Sequence, residues 1–207
     1  NMFFFFKQKT AYEIGYQALL SSKIKATANV FYNRIQQFIV TRTVATFPSP
    51  PAPVPGVASK ISFLNSGSAE ARRAETEVDL WLTDRLKSKL NYSYQWIEDS
   101  DTDKWMKGSP EHKLNALLSF DLTRSLSANL RMHRVSRTIY TWDLRGKEFS
   151  ESVGAYTLVN AWIGYTFPGN QFEVSLSGFN IFDSRHKEHP LGEVLPRKII
   201  AMLKLTL

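Results

Sequence analysis

From about residue 24 to its end this sequence repeats with a period of two, and that rhythm leaves few folds open. In 86–96, Leu86, Leu90, Tyr92, Tyr94 and Trp96 oppose Lys87, Lys89, Asn91, Ser93 and Gln95. In 113–122, Leu114, Ala116, Leu118, Phe120 and Leu122 oppose Lys113, Asn115, Ser119 and Asp121, with Leu117 the one exception. Leu126, Ala128, Leu130 and Met132 alternate with Ser127, Asn129, Arg131 and His133; Phe172, Val174 and Leu176 alternate with Glu173, Ser175 and Ser177. The same holds for Ile24–Tyr32, for Thr76–Leu82, more weakly for 155–167, and for the last segment. There Ile199, Ala201, Leu203, Leu205 and Leu207 share a face, and Lys198, Lys204 and Thr206 lie on the other. Side chains of a strand point alternately to its two faces, whereas a helix would spread these charges around its axis. The chain is therefore expected to be all-β.

The connections carry a second rhythm. Short turns fall at Ser21-Ser22, Thr83-Asp84-Arg85, Thr123-Arg124-Ser125 and Pro168-Gly169-Asn170. Long polar connections fall between them, at about 41–58, 98–111, 139–154 and 184–196. An antiparallel up-and-down meander brings every other connection out on the same side, and outer-membrane barrels pair short periplasmic turns with long extracellular loops. The pattern predicts a portion of a transmembrane β-barrel with about nine strands. The longest connection holds Pro48, Pro50, Pro51, Pro53 and Pro55, and proline cannot supply a ladder donor in a central strand.

Composition is compatible with this. No run of about 18 apolar residues exists, so a transmembrane helix is excluded, but barrel strands need no such run. Aromatic residues make up 13% of the chain, and rings with one polar end suit a membrane–water boundary as well as a sandwich core. With no cysteine, disulfides and thiolate metal sites are excluded. The net charge of +7 is scattered at alternate strand positions instead of clustered, which argues against nucleic acid as a partner.

Little in the chain points to catalysis. His186 and His189 lie in Arg185-His186-Lys187-Glu188-His189, where the cations oppose a metal ion and a solvated loop is the simpler reading. His133 reads as polar lining. Glu75, Glu77 and Asp79 share one face of a strand; acid–base work or calcium is conceivable, but charge balance with Lys87 and Lys89 of a neighbouring strand suffices. No nucleophile elbow, phosphate-cradling loop or metalloprotease motif occurs, and no residue set calls for a cofactor. Trp105, Tyr140 and Trp142 fall in long connections. They could stack on a ligand at the extracellular mouth, or serve as boundary anchors and loop packing.

The first residues stand apart. Lys7-Gln8-Lys9-Thr10-Ala11-Tyr12-Glu13-Ile14 resembles the conceptual translation of a sequencing-adapter oligonucleotide, so residues 1–14 are expected to be non-native, leaving 15–207 as the barrel portion.

Several elements together resemble the TonB-dependent receptors. Asn180-Ile181-Phe182-Asp183, following the alternating Phe172–Phe179, is similar to an element near the end of that family; Leu195-Pro196-Arg197 and the closing strand resemble its terminus. Ser109-Pro110-Glu111-His112-Lys113-Leu114-Asn115, Asn65-Ser66-Gly67 before the Glu75-x-Glu77 strand, and Thr83-Asp84-Arg85-Leu86 resemble further elements in the expected order. Leu207 stands where an aromatic residue is usual.

The resemblance implies a barrel of about 22 strands around an N-terminal plug, in a Gram-negative outer membrane. It implies uptake of a scarce nutrient such as an iron–siderophore complex, haem or cobalamin. The implied partners are outer-membrane lipid, the barrel-assembly machinery, the plug and TonB. The final strand, from Ile199 to Leu207, would carry the assembly signal. This chain would supply only part of the wall, as an open sheet without plug. The competing expectations are another outer-membrane barrel, porin-like or enzymatic, and a soluble β-sandwich binding module.

Overall fold

The computed structural model describes residues 7–46, 58–100, 104–105, 108–144 and 147–206. It holds twelve strands: β1 (Lys7–Ser21), β2 (Ile24–Thr46), β3 (Ala58–Trp81), β4 (Leu86–Asp99), β5 (Lys104–Trp105), β6 (His112–Asp121), β7 (Leu126–Val135), β8 (Thr138–Leu144), β9 (Lys147–Val153), β10 (Tyr156–Thr166), β11 (Phe172–Phe179) and β12 (Lys198–Leu205). Nine of them form one path, β1-β2-β3-β4-β6-β7-β10-β11-β12, in which every neighbour is antiparallel. The short β5 pairs onto the end of β4. Strands β1 and β12 lie at the two edges, so the sheet is open and the barrel is not closed within this chain.

The short turns form as their residues dictate. Thr83 Oγ1 accepts hydrogen bonds from the backbone N–H groups of Arg85 (3.2 Å) and Leu86 (3.0 Å). Thr123 Oγ1 accepts from Ser125 (3.2 Å) and Leu126 (3.0 Å) in the same arrangement. A hydroxyl two to three residues ahead of the strand thus satisfies the donors that the turn exposes. Between β10 and β11 the chain needs two residues at positive φ, and Gly169 (86°) and Asn170 (57°) supply them.

The long connections hold more structure than their polarity suggests. The segment 139–154, expected as a loop, falls mostly within the hairpin β8–β9. That hairpin continues β7 and β10 without a change of register: Val135 faces Tyr156, and three residues further along each strand Thr138 faces Val153. Likewise β2 runs to Thr46 and β3 starts at Ala58, so the 41–58 connection is shorter than expected. The segment 184–196 remains a loop with a single bridge between His186 and Leu195.

The register turns separate alternations into one two-faced wall. On one face Ala18 opposes Ala26, Ala26 opposes Val78, Val78 opposes Leu90 and Leu90 opposes Ala116. The row continues through Met132 and Val159. A second row joins Tyr165, Val174 and Leu203. The other face pairs Lys25 with Asp79, Asp79 with Lys89, Asn91 with Asn115, Asn115 with His133, and Glu173 with Lys204.

This wall is one layer thick. Among the described residues the buried apolar side chains are Ala69, Val135, Val153 and Pro190. Large apolar side chains such as Val30, Leu130, Leu176 and Leu203 stay 44–68% exposed. A water-soluble domain buries its apolar face against a second layer, so a wall like this one is matched to hydrocarbon. The apolar stretch of β2, Ile24 to Tyr32, runs roughly 26 Å along the strand and, at a tilt of about 40°, spans about 20 Å, near the ~25 Å apolar band of such barrels.

At the long-connection end that same face changes character. Tyr12 and Tyr32 stack with centroids 6.3 Å apart, and Trp96 lies opposite Arg72 on the next strand. One step higher, Glu70 pairs with Arg34 (3.9 Å) and Arg72 (3.5 Å). Aromatic rings followed by charges are what a membrane–water boundary selects.

Candidate functional site

The polar face is a connected surface. Lys89 Nζ donates to Glu77 Oε1 (3.0 Å) and lies 3.1 Å from Asp79 Oδ1. Arg73 pairs with Glu75 and lies 5.8 Å from the Phe31 ring centroid. Each of the three carboxylates of this strand thus has a cation beside it, which is the charge balance expected for Glu75, Glu77 and Asp79. Lys89 supplies it as foreseen; Arg73, on the same strand, was not foreseen.

Further along, amides take over. Asn115 Nδ2 donates to Asn91 Oδ1 (3.4 Å), and His133 Nδ1 lies 2.6 Å from Asn115 Oδ1. His133 therefore belongs to a hydrogen-bonded lining. Beyond it on the same face, Trp162 lies along its own strand, and a β-carbon at Gly164 would overlap the far edge of its ring.

At the long-connection end the last loop folds back over the wall. His186 Nδ1 donates to the Ser184 carbonyl (2.8 Å), and its ring packs on Tyr156 at 4.5 Å between centroids. His133 approaches the same tyrosine at 6.4 Å. His186 is only 8% exposed, and among the described residues its Nε2 has no hydrogen-bond partner, with Glu188 Oε1 3.7 Å away. In the loop expected to be solvated, Arg185, Lys187, Glu188 and His189 are exposed, and the exception is the packed His186. The aromatic ring that buries it comes from a segment thirty residues earlier, which no local pattern reveals.

Tyr140 reaches this loop from β8. Its hydroxyl donates to the Glu188 carbonyl (3.3 Å), and its ring meets His189 edge-on at 4.9 Å. Tyr140, Thr141, His189, Pro190 and Leu191 line a cleft of about 290 Å³. A second cavity of about 230 Å³ lies where β9 gives way to β10, beneath Arg185, His186 and Lys187. Trp105 lies on β5 and Trp142 on β8 opposite Phe149, but their side chains are outside the described residues, as is Leu207. Among the described residues no three His, Asp or Glu side chains converge on a point where they could share a metal ion.

The Asn180-Ile181-Phe182-Asp183 element forms a clasp at the base of this loop. Asn180 and Asp183 both sit at positive φ, 51° and 52°. The buried Asn180 side chain donates to the carbonyls of Ser184 (3.0 Å) and Leu195 (3.3 Å) and accepts from Ser184 N–H (2.9 Å). Its own N–H donates to Asn160 Oδ1 (2.8 Å). Asp183 Oδ1 accepts from the N–H of Arg197 (2.9 Å), the residue after Pro196. From there β12 runs back along β11 with Ile199, Ala201, Leu203 and Leu205 on the apolar face, Leu203 being 68% exposed. Phe182 is 76% exposed and Ile181 packs toward Gly178, 2.6 Å from where a β-carbon there would stand.

An antiparallel meander with an apolar outer face, a polar inner face and unequal connections defines the wall of an outer-membrane β-barrel. Comparison with known proteins makes this specific. Residues 10–181 match the family described as TonB dependent receptor-like, β-barrel, and the chain belongs to that family. It is accordingly a protein of the Gram-negative outer membrane.

Three solved structures illustrate the likeness. One is the siderophore receptor PirA from Acinetobacter baumannii, with a TM-score of 0.72 at 18% identity over 94% of this chain and 31% of that one. Another is the ferripyoverdine receptor of the outer membrane of Pseudomonas aeruginosa bound to ferripyoverdine, at 0.70 and 17%, over 93% and 26%. A third is the copper transporter OprC, at 0.68 and 14%, over 94% and 30%. The chain spans between a quarter and a third of each of these proteins. Comparison with curated protein sequences gives no match.

Proposed function

We propose that this chain forms part of the wall of a transporter that imports a scarce nutrient across the outer membrane, driven by TonB and gated by a plug domain. The observation that carries the reading is the two-faced antiparallel pairing of nine strands in one sheet, joined to the family match. A lipid-matched outer face and a hydrogen-bonded polar inner face are what a wall between bilayer and plug requires. PirA is a siderophore receptor, and the ferripyoverdine receptor carries an iron chelate. These favour an iron–siderophore complex as cargo, with haem and cobalamin as the other candidates; OprC transports copper.

The inner face and the last loop would meet the cargo. Tyr140 lines a cleft at the long-connection end, and rings there suit a planar or aromatic ligand. Trp105 and Trp142 belong to the same group of connections, and we assign them, with Tyr140, to ligand contact. Outer-membrane lipid contacts the apolar face, and the assembly machinery reads the strand from Ile199 to Leu207. Residues 1–14 are assigned as non-native in origin, although Lys7 to Ile14 pair with β2 as the start of β1; sequencing the parent DNA decides the point, and bases unlike an adapter overturn it.

The test of the function is uptake. The complete gene, expressed in a host lacking its own siderophore receptors, should restore accumulation of radiolabelled iron from at least one ferric siderophore of a panel including haem and cobalamin controls. Accumulation should vanish in a strain without TonB. Equal accumulation with and without TonB would instead describe a passive channel.

A further inference from the structure

Alternation fixes which face of β12 points outward, but it does not fix the register. A slip of one residue would drive Lys198 and Lys204 into the apolar face, so it is forbidden. A slip of two residues keeps every apolar side chain outward and every lysine inward. Something other than the pattern must choose between the observed register, in which Val174 faces Leu203, and its neighbours two residues away. We propose that the Asn180–Asp183 clasp and Pro196 make that choice, each blocking one direction of slip.

The geometry separates the two directions. Thr206 N–H donates to the Gln171 carbonyl (2.9 Å), so the even-numbered residues of β12 direct their N–H groups at β11. Sliding β12 so that Val174 faces Ala201 brings Pro196 opposite Phe179 as the next even-numbered residue. Proline has no N–H to give there, and the ladder would end on an unpaired carbonyl.

Sliding the other way, so that Val174 faces Leu205, brings Lys198 opposite Ile181. That requires the 180–183 turn to open. Ile181 N–H is held by the Val159 carbonyl (2.9 Å), which the positive φ of Asn180 permits. The Asn180 side chain holds Ser184 and Leu195, and Asp183 holds Arg197 one residue before the strand begins. Opening the turn breaks all of these contacts at once and leaves a buried amide without partners. The asparagine and aspartate are therefore positioning residues for the edge strand.

This stretch contains no cysteine, so once any cysteine elsewhere in the complete protein is replaced by serine, engineered pairs report the register without background. Val174 and Leu203 lie directly opposite each other in a pair that exchanges no backbone hydrogen bonds, where side chains approach most closely. In the protein expressed from its complete gene and oxidised in outer membranes, Val174→Cys/Leu203→Cys should crosslink, whereas Val174→Cys/Leu205→Cys and Val174→Cys/Ala201→Cys should not. Adding Asn180→Ala and Asp183→Leu should raise the Val174→Cys/Leu205→Cys crosslink by roughly tenfold or more, the expected consequence of losing several hydrogen bonds. The Val174→Cys/Ala201→Cys pair should stay silent until Pro196→Ala is introduced.

Asp183→Asn keeps the acceptor oxygen and should keep the native crosslink alone. If the double variant fails to insert, Asp183→Leu and Asp183→Asn carry the test singly, with assembly retained only by the second. An unchanged Val174→Cys/Leu205→Cys crosslink in the double variant would overturn the proposal, as would equal loss of assembly by both Asp183 variants.

Discussion

At the scale of single residues, the side chains that matter most here are polar and nearly buried in a sheet that buries little else. Asn180 is 6% exposed, makes hydrogen bonds in four directions and holds a left-handed backbone conformation. Alanine at this position removes three side-chain bonds and strains the backbone. The expected loss is about 2–4 kcal/mol, read as a lower urea midpoint in detergent or lipid. At Gly164 the neighbour that a β-carbon meets is the far edge of a ring that can swing, so Gly164→Ala should move Trp162 without unfolding the sheet. The expected signal is a shift in tryptophan emission, absent when Trp162→Phe is added; an unshifted spectrum would mean that the ring does not lie over the glycine. The sequence marks Asn180 and Asp183 only as parts of a family-like element. Ser184 is a local partner, but the partners at 160, 195 and 197 lie on separate segments, so no local spacing exposes the full role.

At the scale of elements, what was legible follows from where water and hydrocarbon meet the strand. Between the short turns and the aromatic rows one face meets lipid and the other does not, so composition alternates and the strand can be read. Above those rows both faces meet water, the alternation has no cause, and segments that look like polar loops continue as strands. That is why β8–β9 and the upper parts of β2 and β3 were not anticipated. Register shifts around Gln37, itself at φ 58°, and around Ala45 further interrupt the period in β2. The two faces make unequal demands on substitution. Leu130→Arg, on the apolar face of β7, should cost about 2–4 kcal/mol, whereas Asn129→Arg beside it should cost less than about 1. Unfolding titrations in lipid vesicles check this; similar losses at both positions would mean that the faces are not lipid and lumen.

At the scale of the whole molecule, a single layer replaces the packed core of a soluble domain. The wall is held together by its ladder, by ion pairs such as Lys89 with Glu77 and Asp79, and by the amide chain through Asn91, Asn115 and His133. Its apolar side needs the bilayer to bury it, and its two edges need further strands. The architecture was legible because it follows from parity and turn spacing. The cleft beside Tyr140 and the burial of His186 were not, because they arise where the last loop folds over strands far away in sequence.

The most direct test of the wall is a cysteine scan along β4, in a stretch that has no cysteine of its own. Single cysteines at positions 87 to 94, in the protein expressed from its complete gene and held in outer membranes, would be exposed first to a lipid-soluble maleimide and then to a charged one. The account predicts a strict alternation: cysteines replacing Leu90, Tyr92 and Tyr94 labelled from the lipid, and those replacing Lys87, Lys89 and Asn91 never. Uniform labelling by both reagents, or lipid labelling at the odd positions, would contradict it.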